Sequence, residues 1–194
     1  MYTLIIDTET TGLVPKLDPF YYNNPEWKKC RIVQIAWELY DENITSDIPI
    51  LIDKQCHTIK PDDFTIPLIA SRIHGITDKI AEEEGVSIDT VFNILLEILE
   101  KTNKIVAHNI EFDSNVILSE IYRKDRSDLI ELFNRANQVC TMKMGTLPGK
   151  KWPKLGELYE RLFETKPECD LHRAENDVYI CAKIYFKLTQ MNKL

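Results

Sequence analysis

No run of apolar residues in this 194-residue chain approaches the roughly 18 needed to cross a bilayer, which argues against a membrane-spanning helix. The first residues, Met1-Tyr2-Thr3, run directly into Asp7 and Glu9. The basic flank and apolar stretch of a secretory signal are therefore missing, and an intracellular location is expected, cytoplasmic or nuclear. CxxC pairs are absent, and the five cysteines are an odd number. Both facts argue for a reducing compartment and against a disulfide framework or a structural zinc site. There is no internal repeat and no low-complexity tract. Alanine is scarce beside isoleucine, which hints at an AT-rich genome, cellular or viral. An excess of basic residues is missing too: 24 Lys and Arg face 31 Asp and Glu, for a formal charge of −7. That balance ordinarily counts against a nucleic-acid partner. What is present is a globular composition, and a length that suits one domain spanning residues 1–194 with a substantial core.

The charge is unevenly placed. Residues 1–139 carry 24 acidic and 14 basic side chains, whereas residues 140–194 carry 7 and 10. Within the second part, Lys143, Lys150, Lys151 and Lys154 follow one another with no acid between them. Such a run is either a solvated loop or a local phosphate-facing patch, and only a neighbouring site distinguishes the two.

Hydrophobic patterning organises the chain. Tyr2–Asp7 reads as a short strand that stops at a polar turn ending in Gly12. Ile32–Tyr40 and Ile48–Lys60 read as two further strands, rich in β-branched and aromatic residues, joined by the polar Asp41–Asp47 as an antiparallel connection. Ser87 caps a helix whose apolar positions Ile88, Val91, Phe92, Leu95 and Leu99 follow helical spacing. Lys104–His108 is a fourth strand, after which Asn109 caps a helix to about Tyr122. A fifth strand is expected near Gln138–Met142, then a short helix around Leu155–Phe163 and a long one from about Ala174 to Gln190. This order predicts an α/β fold whose sheet has an antiparallel and a parallel part. Val14–Cys30, Pro- and aromatic-bearing, is an insertion at about 14–30 between the first two strands.

Four carboxylates occupy positions where carboxylates are costly. Asp7 and Glu9 are two apart on a strand and so share a face. Asp113 lies on a helical line with Ile117 and Ile121, and Asp177 on one with Ala174 and Cys181. An inward carboxylate must be paired, protonated or bound to a metal. Hard oxygen donors suit Mg²⁺ or Mn²⁺, and four of them match the inventory of a two-metal phosphodiester hydrolase. A base that titrates near neutrality completes such a set. Of His57, His74, His108 and His172, the last stands out because it precedes Asp177 by five residues in a polar stretch. Residues i and i+5 do not share a helix face, so His172 must lie on a flexible approach to the helix.

Three segments in order, LIIDTETTGL (Leu4–Leu13), IVAHNIEFDSNVI (Ile105–Ile117) and HRAENDVYI (His172–Ile180), resemble the three motifs of the DEDD exonucleases. His-x4-Asp resembles the DEDDh, or DnaQ-like, branch, because the Tyr of the alternative branch would fall on Arg173. The resemblance implies a ribonuclease H-like fold, a five-stranded mixed sheet with three antiparallel strands then two parallel, flanked by helices. It implies a metal-dependent 3′→5′ exonuclease acting on single-stranded DNA ends and releasing nucleoside 5′-monophosphates, in proofreading or repair. Asp7, Glu9, Asp113 and Asp177 would hold two Mg²⁺ or Mn²⁺ ions, and His172 would deprotonate the attacking water. Thr10, Gly12, Leu13, His108, Asn109 and Phe112 match positions that contact substrate in the family, and His74 opens a His-Gly-Ile-Thr segment that recurs there. An exoribonuclease of the same superfamily and a non-catalytic nucleic-acid-binding or polymerase-docking module are the alternatives. Tyr21, Tyr22 and Trp27 of the insertion are either base-stacking or packed residues. The chain ends soon after the third motif, without a long tail for polymerase tethering.

Overall fold

The computed structural model describes residues 1–14, 21–42 and 49–191. Most of the Asp41–Asp47 connection, and residues 15–20 of the insertion, lie outside the described residues. Five strands form one sheet: β1 (Tyr2–Thr10), β2 (Ile32–Asp41), β3 (Ile50–Thr58), β4 (Thr102–Ala107) and β5 (Asn137–Cys140). Their spatial order is β3-β2-β1-β4-β5. The first three pair antiparallel, and β4 and β5 join parallel to β1, as expected.

Strand alternation divides the core into two layers. Leu4 and Ile6 of β1 face α3 (Ile88–Lys101), α4 (Ile110–Arg123) and α5 (Ser127–Arg135), in a cluster with Phe92, Leu95, Ile117 and Phe133. Ile5 faces the opposite way, onto Ala174, Val178, Cys181 and Tyr185 of α8 (Ala174–Met191). Helix α7 (Leu155–Phe163) backs α8 through Leu158, Tyr159, Ile180 and Ile184. Fully burying one such aliphatic side chain contributes about 1.5–3 kcal/mol, so these two layers dominate the fold's stability. No helix among the described residues is long and apolar enough to cross a membrane, and all five cysteines are unpaired thiols.

Several expectations are adjusted. Helices α1 (Leu68–His74), α2 (Asp78–Glu84) and α5 were not anticipated. The fifth strand ends at Cys140, because Thr141 turns the chain into a single helical turn, α6 (Thr141–Met144). Ser87 caps α3 as read, accepting from the Thr90 amide. Asn109 does stand at the N-cap of α4, but in a left-handed conformation (φ 75°, ψ 50°) with no capping hydrogen bond from its side chain. Trp27, in a short 3-10 helix over Pro25–Lys29, is fully buried with its ring 6.0 Å from that of Phe112. It is a packing residue and not an exposed stacking surface.

Candidate active site

The site lies at the carboxyl ends of β1 and β4, where the parallel strands give way to helices. The β1–β2 ladder slips between Glu9 and Thr10: Glu9 pairs with Gln34 and Thr10 with Ile32, so Val33 is the extra residue of a bulge. Bulges bend and twist a strand locally, and this one falls where β1 presents its acids. Asp7 and Glu9 share the face that carries Ile5, and therefore look toward α8.

Asp113 and Asp177 arrive from opposite layers. Each sits in the first turn of its helix, α4 and α8, where the helix dipole favours negative charge. Asp113 is buried and held by Thr8, whose amide and hydroxyl both donate to its Oδ1 at 3.1 and 2.9 Å. Thr8 lies between Asp7 and Glu9 but points to the other side of the sheet, so β1 touches the site from both faces. Sequence reasoning missed Thr8, although strand parity places it opposite its acidic neighbours. Asp177 accepts the His172 amide on both carboxylate oxygens, at 3.3 and 3.1 Å.

His172 reaches the site through its backbone. It precedes α8, has φ 69° and is exposed at the rim. The left-handed turn folds its amide back onto Asp177, while Gln34 Oε1 accepts the Ala174 amide at 3.1 Å and Asn176 Nδ2 donates to the Asp170 carbonyl at 2.7 Å. These bonds tie down the approach that its spacing suggested was flexible. Ligand atoms of Glu9, His172 and Asp177 all lie within 4.8 Å of one another.

The electrostatics separate these acids from the other buried ones. Glu120 is paired with Arg31 and Arg123, each at 2.8 Å, and Glu38 with Lys54 at 3.0 Å. Among the described residues, no lysine or arginine pairs with Asp7, Glu9, Asp113 or Asp177. Burial and the charges of Asp113, Asp177 and Glu9 hold the Asp7 carboxyl well above its ordinary range. Burial, then Asp177 and Asp113, push Glu9 up to about 8. Asp113 is raised to about 7 by burial, against the two Thr8 hydrogen bonds. Asp177 is raised to about 6, again by burial, against the His172 amide. Oxygen donors that converge without a counter-cation fit a bound divalent ion, which would supply the missing positive charge.

Beside the acids lies a pocket of about 550 Å³. Thr10, Gly12, Leu13, His74 and Phe112 line it together with Glu9, which brings five of the seven expected substrate residues to one place. The wall facing them comes from α1, through Ile69, Ala70 and Ile73, and no periodic signal announced it. His74 is buried, its Nδ1 accepts the Ile76 amide at 3.1 Å, and burial lowers its pKa. Gly75, at φ 78°, ends α1 in the left-handed conformation that glycine adopts without cost, and Thr77 caps α2 by accepting the Ile80 amide. The His-Gly-Ile-Thr segment is thus the corner between two helices. His108 and Asn109 lie apart from the pocket lining. Both His108 ring nitrogens are engaged, Nδ1 with Thr141 Oγ1 at 2.9 Å and Nε2 with the Pro153 carbonyl at 3.0 Å.

Comparison with known proteins places this geometry. No curated protein sequence matches the chain. Among solved structures, the fold is similar to exonuclease X in complex with 5′-overhanging duplex DNA, with a TM-score of 0.63 and 24% identity over 99% of this chain and 93% of that one. It is similar to E. coli exonuclease I in complex with a dA16 oligonucleotide, with a TM-score of 0.69 and 19% identity over 98% of this chain and 41% of that one. The zinc-bound form of the E. coli exonuclease I–single-stranded DNA complex gives 0.68 and 20%, over 99% and 41%. The chain therefore spans about two-fifths of the exonuclease I length. At these identities the likeness establishes an α/β fold of the ribonuclease H type. Residues 4–185 match the RNase_T exonuclease family, and with Asp7, Glu9, Asp113, His172 and Asp177 set out in the DEDDh pattern, the chain belongs to that family of nucleases.

Proposed function

We propose that this exonuclease removes nucleotides one at a time from the 3′ end of single-stranded or frayed DNA, releasing nucleoside 5′-monophosphates. The observation that carries the reading is the convergence of four carboxylates without a counter-cation, one exposed imidazole at their rim and an apolar-walled pocket alongside. Asp7, Glu9, Asp113 and Asp177 would hold two Mg²⁺ or Mn²⁺ ions, which would supply Lewis-acid activation of a water and charge stabilisation at the leaving oxygen. His172 would accept a proton from the attacking water at its ring, which its left-handed backbone holds beside Glu9 and Asp177. Thr8 keeps the Asp113 carboxylate oriented through two hydrogen bonds. The pocket receives the terminal nucleotide, whose base lies against Leu13, Ile73 and Phe112. Such contacts read a base's apolar face and carry no sequence preference. The DNA held by the exonuclease X and exonuclease I structures supports DNA over RNA as substrate.

The test is mononucleotide release from matched 20-nucleotide DNA and RNA strands, after EDTA treatment and again after Mg²⁺ or Mn²⁺ is restored. Release from the DNA only when metal is present, abolished by Asp7→Ala and by His172→Ala in folded protein, is the expected result. Metal-independent release, or undiminished release by both variants, overturns the site assignment. A much faster rate on RNA replaces DNA with RNA as the substrate.

A further inference from the structure

We propose that the loop from Leu147 to Lys154, with Lys143 beside it, is a second nucleic-acid subsite that grips the single strand upstream of the reacting end. The inference rests on the nucleic-acid reading above. The occupant is a single strand, whose bases stack on Trp152 and whose phosphates meet the lysines.

Four observations converge on this loop. The first is charge: in a chain of −7, Lys143, Lys150, Lys151 and Lys154 are all exposed, with no acid between them in sequence. Two acids approach from outside the run. Glu111 lies 3.7 Å from Lys143, across an exposed pair of little strength, and Glu157 is turned back to accept the Lys154 amide at 2.9 Å. The second is Trp152, 60% exposed, whereas Trp27 and Trp37 are fully buried. An indole exposed to water among lysines is a surface on which a base can stack, and Lys143 Nζ lies 6.0 Å from its ring centre.

The third observation is that the loop is built to hold a shape. The Lys150 amide donates to the Leu147 carbonyl at 3.0 Å, with Pro148 and Gly149 at the central positions and Gly149 at φ 71°, the signature of a type II turn. Below it, Arg161 donates to the Gly145 carbonyl, and the Lys154 backbone starts α7. A side chain presented on such a frame loses little freedom when it binds.

The fourth is position. His108 Nε2 holds the carbonyl of Pro153, the residue next to Trp152, and His108 directly precedes Asn109, the N-cap of the helix whose first turn carries Asp113. Thr141, the other partner of the His108 ring, contacts Cys181 of α8, one turn beyond Asp177. The loop is therefore tied through His108 to the start of α4 and, by way of Thr141, to α8. This gives His108 a positioning role that the substrate-contact reading overlooked.

The experiment measures binding of a fluorescent dT20 strand by anisotropy in EDTA, where turnover is absent, and separately kcat/KM on a 20-nucleotide and a trinucleotide strand with metal. Trp152→Ala is expected to weaken dT20 binding about fivefold or more, and Trp152→Phe to restore most of it. The pair Lys150→Ala and Lys151→Ala is expected to flatten the salt dependence of log K, by about 0.7 for each phosphate that the lysines no longer neutralise. In the kinetic arm, the wild-type preference for the long strand over the trinucleotide falls several-fold in these variants. Variants that bind dT20 within twofold of wild type, at an unchanged salt slope, overturn the proposal. If the wild type releases no mononucleotides, the catalytic reading fails while the anisotropy still decides the loop.

Discussion

Thr8 and Asn109 show how single residues shape the ground around the acids. The Thr8 hydroxyl and amide both donate to Asp113, so a valine in its place keeps the shape and the amide but deletes the hydroxyl bond. Removing a group that orients a metal-binding carboxylate typically costs about 10–100-fold in metal affinity or activity. Thr8→Val is accordingly expected to lower kcat, or to raise the Mn²⁺ concentration for half-activity, by about that factor with its thermal transition little moved. A metal titration of activity reads both quantities. Asn109 raises a different question, because its left-handed backbone and its side chain are separable. Its side chain makes no capping bond, and φ is 75°. Asn109→Ala incurs the left-handed penalty of about 1 kcal/mol or more, whereas Asn109→Gly does not. If the side chain also touches substrate, Asn109→Gly folds as well as wild type and still loses affinity for DNA. Urea unfolding beside KM separates the two contributions. Thr8 was not legible in sequence, because it sat between two more conspicuous acids; Asn109 was read as a helix cap and a substrate contact, but its left-handed backbone was not.

At the scale of elements, the chain was readable wherever burial imposes a period and opaque wherever it does not. The strands β1, β2 and β4 and the helices α3, α4, α7 and α8 present apolar residues to a two-sided core, so apolar, β-branched runs and 3.6-residue spacing announced them, while β3, largely exposed, was read from its composition alone. Helices α1 and α2 span seven residues each, and Leu68, Ile69 and Ile73 of α1 are exposed beside the pocket. The exposed apolar residues of α1 therefore form no core-facing stripe, and α2 buries only Ala81, in a small cluster with Val33, Ile66, Ala70 and Ile76, which is too little to show a period. In α5 only Leu129 and Phe133 are buried, which leaves a weak period. The acids were legible because strand parity puts Asp7 and Glu9 on one face and helical lines turn Asp113 and Asp177 inward. His172 was legible as chemistry but not as geometry, since its reach depends on one left-handed residue that spacing does not encode. The α1–α2 corner gives a prediction at this scale. A Cβ at Gly75 meets nothing within 4 Å, so Gly75→Ala carries a conformational cost alone, about 1 kcal/mol. The unfolding free energy from urea falls by that amount, and the midpoint with it at constant m-value, and because the corner seats His74 and the α1 wall, KM rises while kcat changes little.

For the whole molecule, the −7 charge is concentrated in meaning as well as in place. Four of the acids behind it face one another at the carboxyl end of the sheet, so nucleic acid meets a local field that bound metal ions would reverse. This arrangement fixes how metal-free stability responds to pH. In the unfolded chain such carboxyls ionise near pH 4. In the folded chain Asp177, Asp113 and Glu9 hold their protons to about 6, 7 and 8, and Asp7 is also raised. The folded state therefore binds more protons between those limits. The contribution is fully present below the unfolded pKa and is lost as pH rises through the folded values. In EDTA, the melting temperature is expected to fall from pH 5 to pH 8 by about 5 °C or more, where 1 kcal/mol corresponds to roughly 2–4 °C for a chain of this size. A Mn²⁺ or Mg²⁺ ion held by the folded site would compete with those protons, so the stabilisation it adds is expected to be larger at pH 8 than at pH 5. Asp7→Asn removes one of the repelling charges at nearly constant shape. It is expected to raise the metal-free melting temperature at pH 8, to shrink the increment that metal provides, and to abolish nuclease activity. A wild-type transition that is flat from pH 5 to pH 8 in EDTA, with an equal metal increment at both, would mean that the four carboxyls do not share one uncompensated site.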